Sequence, residues 1–490
     1  MNKSLRIIFC IIIAMFAAIG LSTTNLMVIR ADDLNADGRN ARSIYSKYDL
    51  PRGAILASDG TIIASSAKSD DEYAFQRTYP YGSLYAPVTG YFSILAGGQS
   101  GIEESRDSLL AGTSNSLWID RLSSLFKGTQ NQGASIETSI SPQLQTLANS
   151  LLTSSGYQGT IIVTEPSTGR ILAMVNSPSY DPGTLAVHDG KAAENNYNAL
   201  NPDSYSSPLI NRATSELYAP GSTFKILVSA AALETGEYQP DTEIPAGAYY
   251  TLPGTSVQLP NSSAAGAGTN GKMSLENALA YSSNTAFAQL GVALGQEKLE
   301  NMARKLGMGS TLTIDSSDSA NHDMAATASV FPKNMTADKL ALASIGQGDV
   351  QMTPLLDCMM AATVANGGVM MKPSLVDRVR GADLSVISET KPQKMSSAFS
   401  EDTAQKLTSM MIGVMTKEYP ELALSNGTKV AAKTGTAERG DGTNDSWFTG
   451  FAPADNPKVA VTVLLHKTAG LANFTNGTIF KKMIEGALSQ

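Results

Sequence analysis

Histidine and cysteine are scarce in this chain of 490 residues. The three histidines, His188, His322 and His466, are far apart in the sequence, and the two cysteines are Cys10 and Cys358. So few imidazole and thiol groups supply poorly both a zinc site and a Ser-His-Asp triad. Two cysteines, of which one lies in an apolar N-terminal run, provide no disulfide framework. We therefore expect neither a zinc enzyme nor a fold that depends on disulfides.

Excess positive charge is also lacking. The formal net charge is −8, and no basic patch has interleaved aromatic residues, so a nucleic-acid partner is not expected. Hydrophobic residues make up 42% and charged residues 16%, which excludes wholesale disorder. The length allows two or three domains with at least one large core.

Only one segment, residues 7–29, is apolar for about the 20 residues that a bilayer requires. Lys3 and Arg6 precede it, which predicts a cytoplasmic N-terminus and an extracytoplasmic remainder. The polar residues at 22–25 favour a cleaved signal peptide instead, but no clean Ala-x-Ala site follows. We expect an uncleaved anchor, and hence a single-pass protein of the plasma membrane, with residues 1–30 as cytoplasmic tip and anchor.

The rest of the chain divides near residue 155. Residues 31–155 are more polar, with mixed periodicity, and predict a mostly extended, non-catalytic interaction module. Residues 156–490 begin with a predicted hairpin at 159–176 and end with strand patterns at 428–433, 446–452 and 458–466. Helical patterns lie between, and residues 177–208 and 253–271 are predicted as loops. The segment therefore predicts an α/β (α+β) fold, with one sheet flanked by helices and a helical cluster inserted.

The segment Tyr218-Ala-Pro-Gly-Ser-Thr-Phe-Lys225 contains a candidate nucleophile. Ser222 and Lys225 are three residues apart, so both side chains lie on one face if a helix begins there. The positive end of that helix would favour an oxyanion, and a lysine of lowered pKa could accept the serine proton. Ser-x-x-Lys occurs at three other places in the chain, so the pattern alone is weak.

Two further patterns follow in order: Ser282-Ser-Asn284 about sixty residues on, and Lys433-Thr-Gly-Thr436 near the last strands. Taken singly, Asn284 would be a helix cap and Gly435 a β-bulge, and only the three patterns together favour a site. The aromatic residues beside them are expected to belong to the core: Tyr218, Phe224 and Trp447.

Together these motifs resemble the active site of penicillin-binding transpeptidases and serine β-lactamases. Further segments resemble the same fold, among them Glu165-Pro-Ser-Thr-Gly-Arg170, Asn211-Arg-Ala213 and Met352-Thr-Pro354. Upstream, Pro51-Arg-Gly53 and the segment 101–112 resemble the N-terminal module of class B penicillin-binding proteins. Within that class the chain is similar to the actinobacterial penicillin-binding protein A type, and the resemblance covers essentially the whole chain.

The resemblance implies a serine D,D-transpeptidase that cross-links peptidoglycan stem peptides and is inhibited by β-lactam antibiotics. Ser222 would attack the carbonyl between the two terminal D-alanines and form an acyl-enzyme. Lys225 would accept the proton of Ser222, with Lys433 disfavouring a second positive charge nearby. Ser282 would bridge proton movement to the leaving amine. This mechanism requires no cofactor and no metal.

The resemblance also implies the substrate contacts. Asn284 would bond the backbone amide of the substrate, and Gly435 would let the strand approach it without a Cβ in the way. The backbone N–H groups of Ser222 and Thr436 would form the oxyanion hole. The terminal carboxylate of the donor peptide would be bound by three residues: Lys433, Thr434 and Thr436.

Other proteins with this fold have different functions, and most of these would require features that this sequence does not show. A membrane-anchored β-lactamase needs an extra carboxylate to activate a deacylating water, and no such signature is evident between the second and third motifs. A bifunctional enzyme needs a glycosyltransferase domain, for which residues 31–155 are too short. A β-lactam sensor usually adds several membrane spans, and a silent scaffold has no need of both lysines. The resemblance implies partners in a glycan-strand polymerase and division proteins.

Overall fold

The computed structural model describes residues 3–30, 47–95, 98–114, 117, 132–317, 322–470 and 473–489. An N-terminal helix, α1 (Lys3–Thr24), continues as a π-helical segment, Asn25–Ile29. Within it, Arg6–Met27 has a mean hydropathy of 2.4 and none of its apolar window is buried in the protein. Among the described residues this is the one helix long and apolar enough to cross a membrane, as the sequence predicted.

The three longest strands of the described residues, with 8, 9 and 10 residues, are the last three in the chain. In chain order they are β1 (Ile55–Leu56), β2 (Ile62–Lys68), β3 (Phe75–Thr78), β4 (Ser135–Thr138), β5 (Gln158–Thr164), β6 (Ile171–Ser177), β7 (Glu243–Pro245), β8 (Tyr249–Thr251), β9 (Gln258–Pro260), β10 (Lys272–Ser274), β11 (Leu312–Asp315), β12 (Met324–Ala326), β13 (Val369–Met371), β14 (Val376–Arg380), β15 (Val386–Glu389), β16 (Lys394–Ser397), β17 (Ala431–Glu438), β18 (Asn444–Ala452) and β19 (Val459–Thr468).

After α1, the α-helices fall mainly between β6 and β17. They are α2 (Ala86–Thr89), α3 (Gly101–Ser105), α4 (Asp107–Leu110), α5 (Pro142–Ser154), α6 (Gly190–Ala199), α7 (Lys225–Leu233), α8 (Leu275–Ala280), α9 (Asn284–Leu294), α10 (Gln296–Lys305), α11 (Ala337–Ala343), α12 (Pro354–Ala365), α13 (Glu401–Glu418) and α14 (Asn473–Leu488). Short 3₁₀ segments occur at Gly82–Tyr85, Pro182–Thr184, Gly221–Phe224, Ala264–Ala267 and Pro420–Leu422.

The central sheet has five antiparallel strands in the order β17-β18-β19-β5-β6. Both faces are covered. Ile161 and Val163 belong to the core cluster under α5 and α14, whereas Ile162 between them belongs to the cluster of the helical layer. This alternation is the period of two that a strand buried on both faces requires. The predicted sheet, built from both ends of the segment with helices between, is confirmed.

A second sheet of six strands has the order β15-β14-β4-β1-β2-β3. Strand β14 pairs antiparallel with β4, with Val376 opposite Thr138, so two strands from far along the chain complete a sheet that residues 55–78 begin. The Ser105 hydroxyl also donates to Asp315 at 2.7 Å, and Nε of Arg106 donates to the same carboxylate at 2.8 Å. The N-terminal part is thereby tied to the catalytic segment by strands and by buried polar contacts.

The segment 177–208 is not a plain loop, because α6 lies within it. Asp189 caps this helix, with its carboxylate accepting from the N–H groups of Lys191 and Ala192 at 2.9 Å. Only Ala193 is buried, so the helix has no apolar stripe for a periodicity search to detect. Similarly, the predicted loop 253–271 contains strand β9, which forms a hairpin with β8.

Candidate active site

Ser222 lies in a tight turn that is clamped on two sides. The turn is the 3₁₀ segment Gly221–Phe224, and α7 follows it directly with every residue buried. Gly221 has φ +55°, a conformation that favours glycine, and its N–H donates to the Gly346 carbonyl at 2.9 Å. A Cβ on Gly221 would lie 2.6 Å from the carbonyl oxygen of Thr436. The turn therefore sits directly between strand β17 and the segment at Gly346.

Lys225 and Ser222 are brought together as their spacing predicted, with 2.9 Å between Nζ and Oγ. Lys225 is fully buried. Burial lowers the pKa of Lys225 well below its usual value, and the charge of Lys433 lowers it further. Both effects favour the neutral amine, which is the form of this side chain that can act as a base.

The contacts of Lys225 fix where its lone pair points. Nζ lies 2.7 Å from the carbonyl oxygen of Ser282 and 2.8 Å from Oδ1 of Asn284. Both of these oxygens can only accept, so they take the two N–H groups of the neutral amine. The lone pair is left for a hydroxyl, and that of Ser222, at 2.9 Å, is nearer than that of Ser282, at 3.3 Å, as proton transfer from Ser222 requires.

Ser282 stands between the two lysines. Its Oγ lies 3.3 Å from Nζ of Lys225 and 3.0 Å from Nζ of Lys433. The residue has φ +53°, a left-handed conformation that costs a serine about 1–3 kcal/mol. Ser283 stabilises the turn, since its hydroxyl donates to the Gly266 carbonyl at 2.6 Å. The result is a hydroxyl within hydrogen-bond distance of both amines.

Asn284 is the first residue of α9 and not its cap. The cap is Ser283, whose Oγ accepts from the Ala286 N–H at 3.2 Å. Nδ2 of Asn284 donates to the Pro260 carbonyl at 3.1 Å, which turns Oδ1 towards Lys225. The helix-cap alternative is therefore wrong.

Lys433 is buried in β17, the edge strand of the central sheet. Its Nζ donates to the Thr434 carbonyl at 2.9 Å as well as to Ser282. Burial lowers the pKa of Lys433 to about 7, although the charge of Glu418 opposes this. Near neutral pH this amine is therefore partly charged and lies beside the open edge of the sheet.

Gly435 lies in regular pairing opposite Trp447, with no break in the register of β17 and β18, so the bulge alternative is also wrong. A Cβ at this position would lie 2.7 Å from the Pro220 carbonyl oxygen and 3.0 Å from Cγ2 of Thr223. The glycine is thus required by the close approach of the nucleophile turn to the strand. The expected approach of a substrate to Gly435 stays a prediction.

The two threonines of the third motif lie along the same edge strand. Oγ1 of Thr434 is 3.4 Å from the hydroxyl of Tyr419, while Thr436 is partly exposed and its backbone adjoins Gly221. The backbones at Ser222 and Thr436 are therefore close neighbours, as an oxyanion hole built from their N–H groups requires. The three aromatic residues assigned to the core are all buried, which confirms that expectation: Tyr218, Phe224 and Trp447.

Sequence motifs did not reveal two polar residues close to the site, of which Asp357 is buried and Asn261 is partly buried. Asp357, on α12, accepts from the Thr462 hydroxyl at 3.1 Å, and burial raises its pKa to about 6. Asn261, in the loop after β9, accepts from the Asn284 N–H at 2.8 Å. Neither residue belongs to a recurring pattern, and their positions depend on segments that are distant in sequence, so spacing carries no signal for them.

Comparisons with known proteins agree with this geometry. Residues 159–485 match the penicillin binding protein transpeptidase domain, and residues 52–136 match the penicillin binding protein A dimerisation domain. The chain is 38% identical to the peptidoglycan D,D-transpeptidase PbpA of Mycolicibacterium smegmatis, over 98% of this chain and 96% of that protein. It is 38% identical to PbpA of Mycobacterium tuberculosis, over 100% and 99%.

Solved structures give the same result. Penicillin-binding protein A from M. tuberculosis, as its ceftriaxone acyl-enzyme complex, matches with a TM-score of 0.84 and 36% identity, covering 91% of this chain and 100% of that one. The imipenem acyl-enzyme complex matches with a TM-score of 0.83 and 37% identity, covering 91% and 100%.

Proposed function

Since the chain belongs to the class B penicillin-binding transpeptidases, we propose that Ser222 is the nucleophile with which it cross-links peptidoglycan stem peptides. The protein is a PbpA-type peptidoglycan D,D-transpeptidase that acts in cell wall synthesis. The observation that carries the assignment is the buried amine of Lys225, whose Nζ lies 2.9 Å from Oγ of Ser222 and also contacts the Ser282 carbonyl and Oδ1 of Asn284.

In the acylation step, Oγ of Ser222 attacks the carbonyl carbon between the two terminal D-alanines, and its proton passes to Nζ of Lys225. The oxyanion is stabilised by the backbone N–H groups of Ser222 and Thr436. The C–N bond then breaks, and the leaving D-alanine amine receives a proton through the hydroxyl of Ser282. An acyl-enzyme ester remains.

In the second step an amine of another stem peptide attacks the ester carbonyl. It loses its proton to the same amine and hydroxyl system, and Ser222 is released. The donor peptide lies along β17, with its carboxylate at Lys433, Thr434 and Thr436 and its backbone amide at Asn284. The open edge of β17 supports this pose, because an edge strand offers free backbone groups to an extended peptide.

The location of the protein is also a proposal. Residues 1–30 form the cytoplasmic tip and a single membrane anchor, residues 31–155 form an interaction module, and residues 156–490 form the catalytic domain outside the membrane. The apolar helix and the basic residues before it support this orientation. A role at division, beside a glycan-strand polymerase and division proteins, is supported by the resemblance to the penicillin-binding protein A type.

Intact-mass spectrometry of the full chain in detergent, with and without a penicillin, tests the nucleophile. We expect a stable mass increase equal to the drug, absent in Ser222→Ala. Ser65→Ala is the matched control, because Ser65 and Lys68 have the same spacing but lie in β2 of the N-terminal sheet. An adduct that persists in Ser222→Ala overturns the assignment, and an adduct that forms and disappears with turnover of the drug indicates a β-lactamase.

A further inference from the structure

Asn261 forms several hydrogen bonds with the second motif and the start of α9, although it belongs to none of the three motifs. Its Oδ1 accepts from the backbone N–H groups of Asn284 at 2.8 Å and Thr285 at 3.1 Å. The first N–H groups of a helix have no partner within the helix. Ser283 satisfies one of them, at Ala286, and Asn261 satisfies the two that precede it.

The other end of the Asn261 amide fixes its orientation. Nδ2 donates to the Gly247 carbonyl at 2.8 Å and to Oγ1 of Thr285 at 3.2 Å. A flipped amide would bring two donors against the N–H groups of α9 and an oxygen against a carbonyl. Only one orientation therefore satisfies all of these groups.

Pro260, the residue before Asn261, connects these hydrogen bonds to Lys225 through Asn284. The carbonyl of Pro260 accepts from Nδ2 of Asn284, which keeps Oδ1 of Asn284 on Lys225. If Asn284 turned over, its NH₂ group would face Nζ of Lys225. The lone pair of Lys225 would then accept from Asn284 and be unavailable to Ser222.

We propose that Asn261 is a positioning residue of the transpeptidase. It holds the start of α9 and, through the adjoining Pro260 carbonyl, the amide of Asn284, so that the lone pair of Lys225 is directed at Ser222. Asn261 acts through Asn284 and Lys225 and does not touch the reacting atoms. This inference rests on the proposed function of Ser222 and Lys225 and adds the device that orients them.

The test is the second-order rate of acylation by a fluorescent penicillin, measured across pH for the full-length protein. We expect Asn261→Ala to lower the plateau rate by roughly 10- to 100-fold, the range for a buried polar group that loses its partner. Asn301→Ala, an exposed asparagine on α10, is the matched control and should leave the rate unchanged.

The pH profile separates positioning from a general loss of structure. An acceptor such as Oδ1 of Asn284 favours the charged form of Lys225, so losing it lowers the pKa of Lys225. The acid side of the rate profile should therefore move to lower pH in Asn261→Ala. A variant that is merely partly unfolded would lose plateau rate with its acid side unmoved, and that result overturns the proposal.

A double-mutant cycle supplies the second readout. If Asn261 works through Asn284, the double variant Asn261→Ala/Asn284→Ala should acylate as slowly as Asn284→Ala alone. Additive losses contradict the proposal. Should Asn261→Ala fail to fold, Thr285→Val removes only the hydroxyl that accepts from Asn261 and should change the rate in the same direction by a smaller factor; a rate at the wild-type level overturns the proposal.

The outcomes also distinguish this inference from the proposed function on which it rests. Absence of any adduct in the wild-type protein contradicts the proposed function itself. An adduct in the wild type, with Asn261→Ala reacting within twofold of it, overturns the role of Asn261 alone.

Discussion

Two groups of buried charges can be compared in this chain, one in the N-terminal sheet and one in the active site. In the first, the guanidinium of Arg52 lies 2.6 Å from Glu103 and 2.6 Å from Asp107, and Arg77 lies 2.6 Å from Glu103. Burial alone would lower the pKa of Arg52, but the charges of Glu103 and Asp107 raise it above its usual range. Both buried arginines thus face a carboxylate, and Lys47, nearer the surface, also pairs with Asp107 at 3.0 Å.

In the active site the two buried amines, Lys225 and Lys433, have no such partner. Within the described part of the chain neither forms an ion pair, and the acceptors around them are hydroxyl, amide and carbonyl oxygens. Burial without a counter-charge disfavours the protonated form, and this lowers the pKa of both amines.

The comparison shows that the burial of ionisable side chains can have two different results. Where acid and base are paired, burial gives a fixed, unreactive contact that joins segments of the chain. Where the amines have no counter-charge, burial lowers their pKa and favours the neutral form, which is the form a general base needs. Three substitutions test this contrast, in decreasing order of expected effect.

Lys225→Met should lower the acylation rate by about 10³-fold or more, in the range for loss of a general base, and should raise the melting temperature at pH 7. Methionine fills similar volume without an amine to desolvate. Acylation by a fluorescent penicillin and thermal unfolding measure the two effects. Lys68→Met, at an exposed lysine with the same Ser-x-x-Lys spacing, is the control. A lower melting temperature in Lys225→Met would contradict the view that this lysine is destabilising.

Glu103→Gln should have the opposite character. It leaves Arg52 and Arg77 without their shared buried carboxylate and should lower the free energy of unfolding by about 3–5 kcal/mol. The acylation rate per folded molecule should not change. Denaturant unfolding checks the loss, with Glu389→Gln as the control, since its ion pair with Arg378 lies at the surface and should contribute little to stability. Equal losses of stability in the two variants would contradict the distinction between the buried and the surface ion pairs.

Asp357→Asn should give the smallest effect, and one that depends on pH. Because burial raises the pKa of Asp357 from 3.8 to about 6, this carboxyl stabilises the fold fully below pH 3.8 and loses that contribution as pH rises through about 6. At pH 8 the asparagine variant should be more stable by up to about 3 kcal/mol, and at pH 4 the difference should vanish. Asp241→Asn, at the surface, is the control; a difference between wild type and Asp357→Asn that is the same at both pH values contradicts the assignment.

The sequence predicted the central sheet and the three motifs because these features are local. Ser222 and Lys225 share one turn, and strand and helix periods can be read within ten residues. Asn261 and Asp357 could not be predicted from the sequence, because their roles depend on side-chain contacts between distant segments. Helix α6 escaped because an exposed helix has no apolar stripe, and its cap at Asp189 was the one signal that could have indicated it.

Strand β14 has a consequence for the order in which the chain can fold. Ribosomes deliver the N-terminal strands first, yet Thr138 of β4 finds its neighbour only when Val376 has been made. Until then β4 presents an open edge, the kind of surface on which sheets aggregate. The sheet that is begun first during synthesis is thus finished late, and its assembly waits on most of the catalytic segment having emerged.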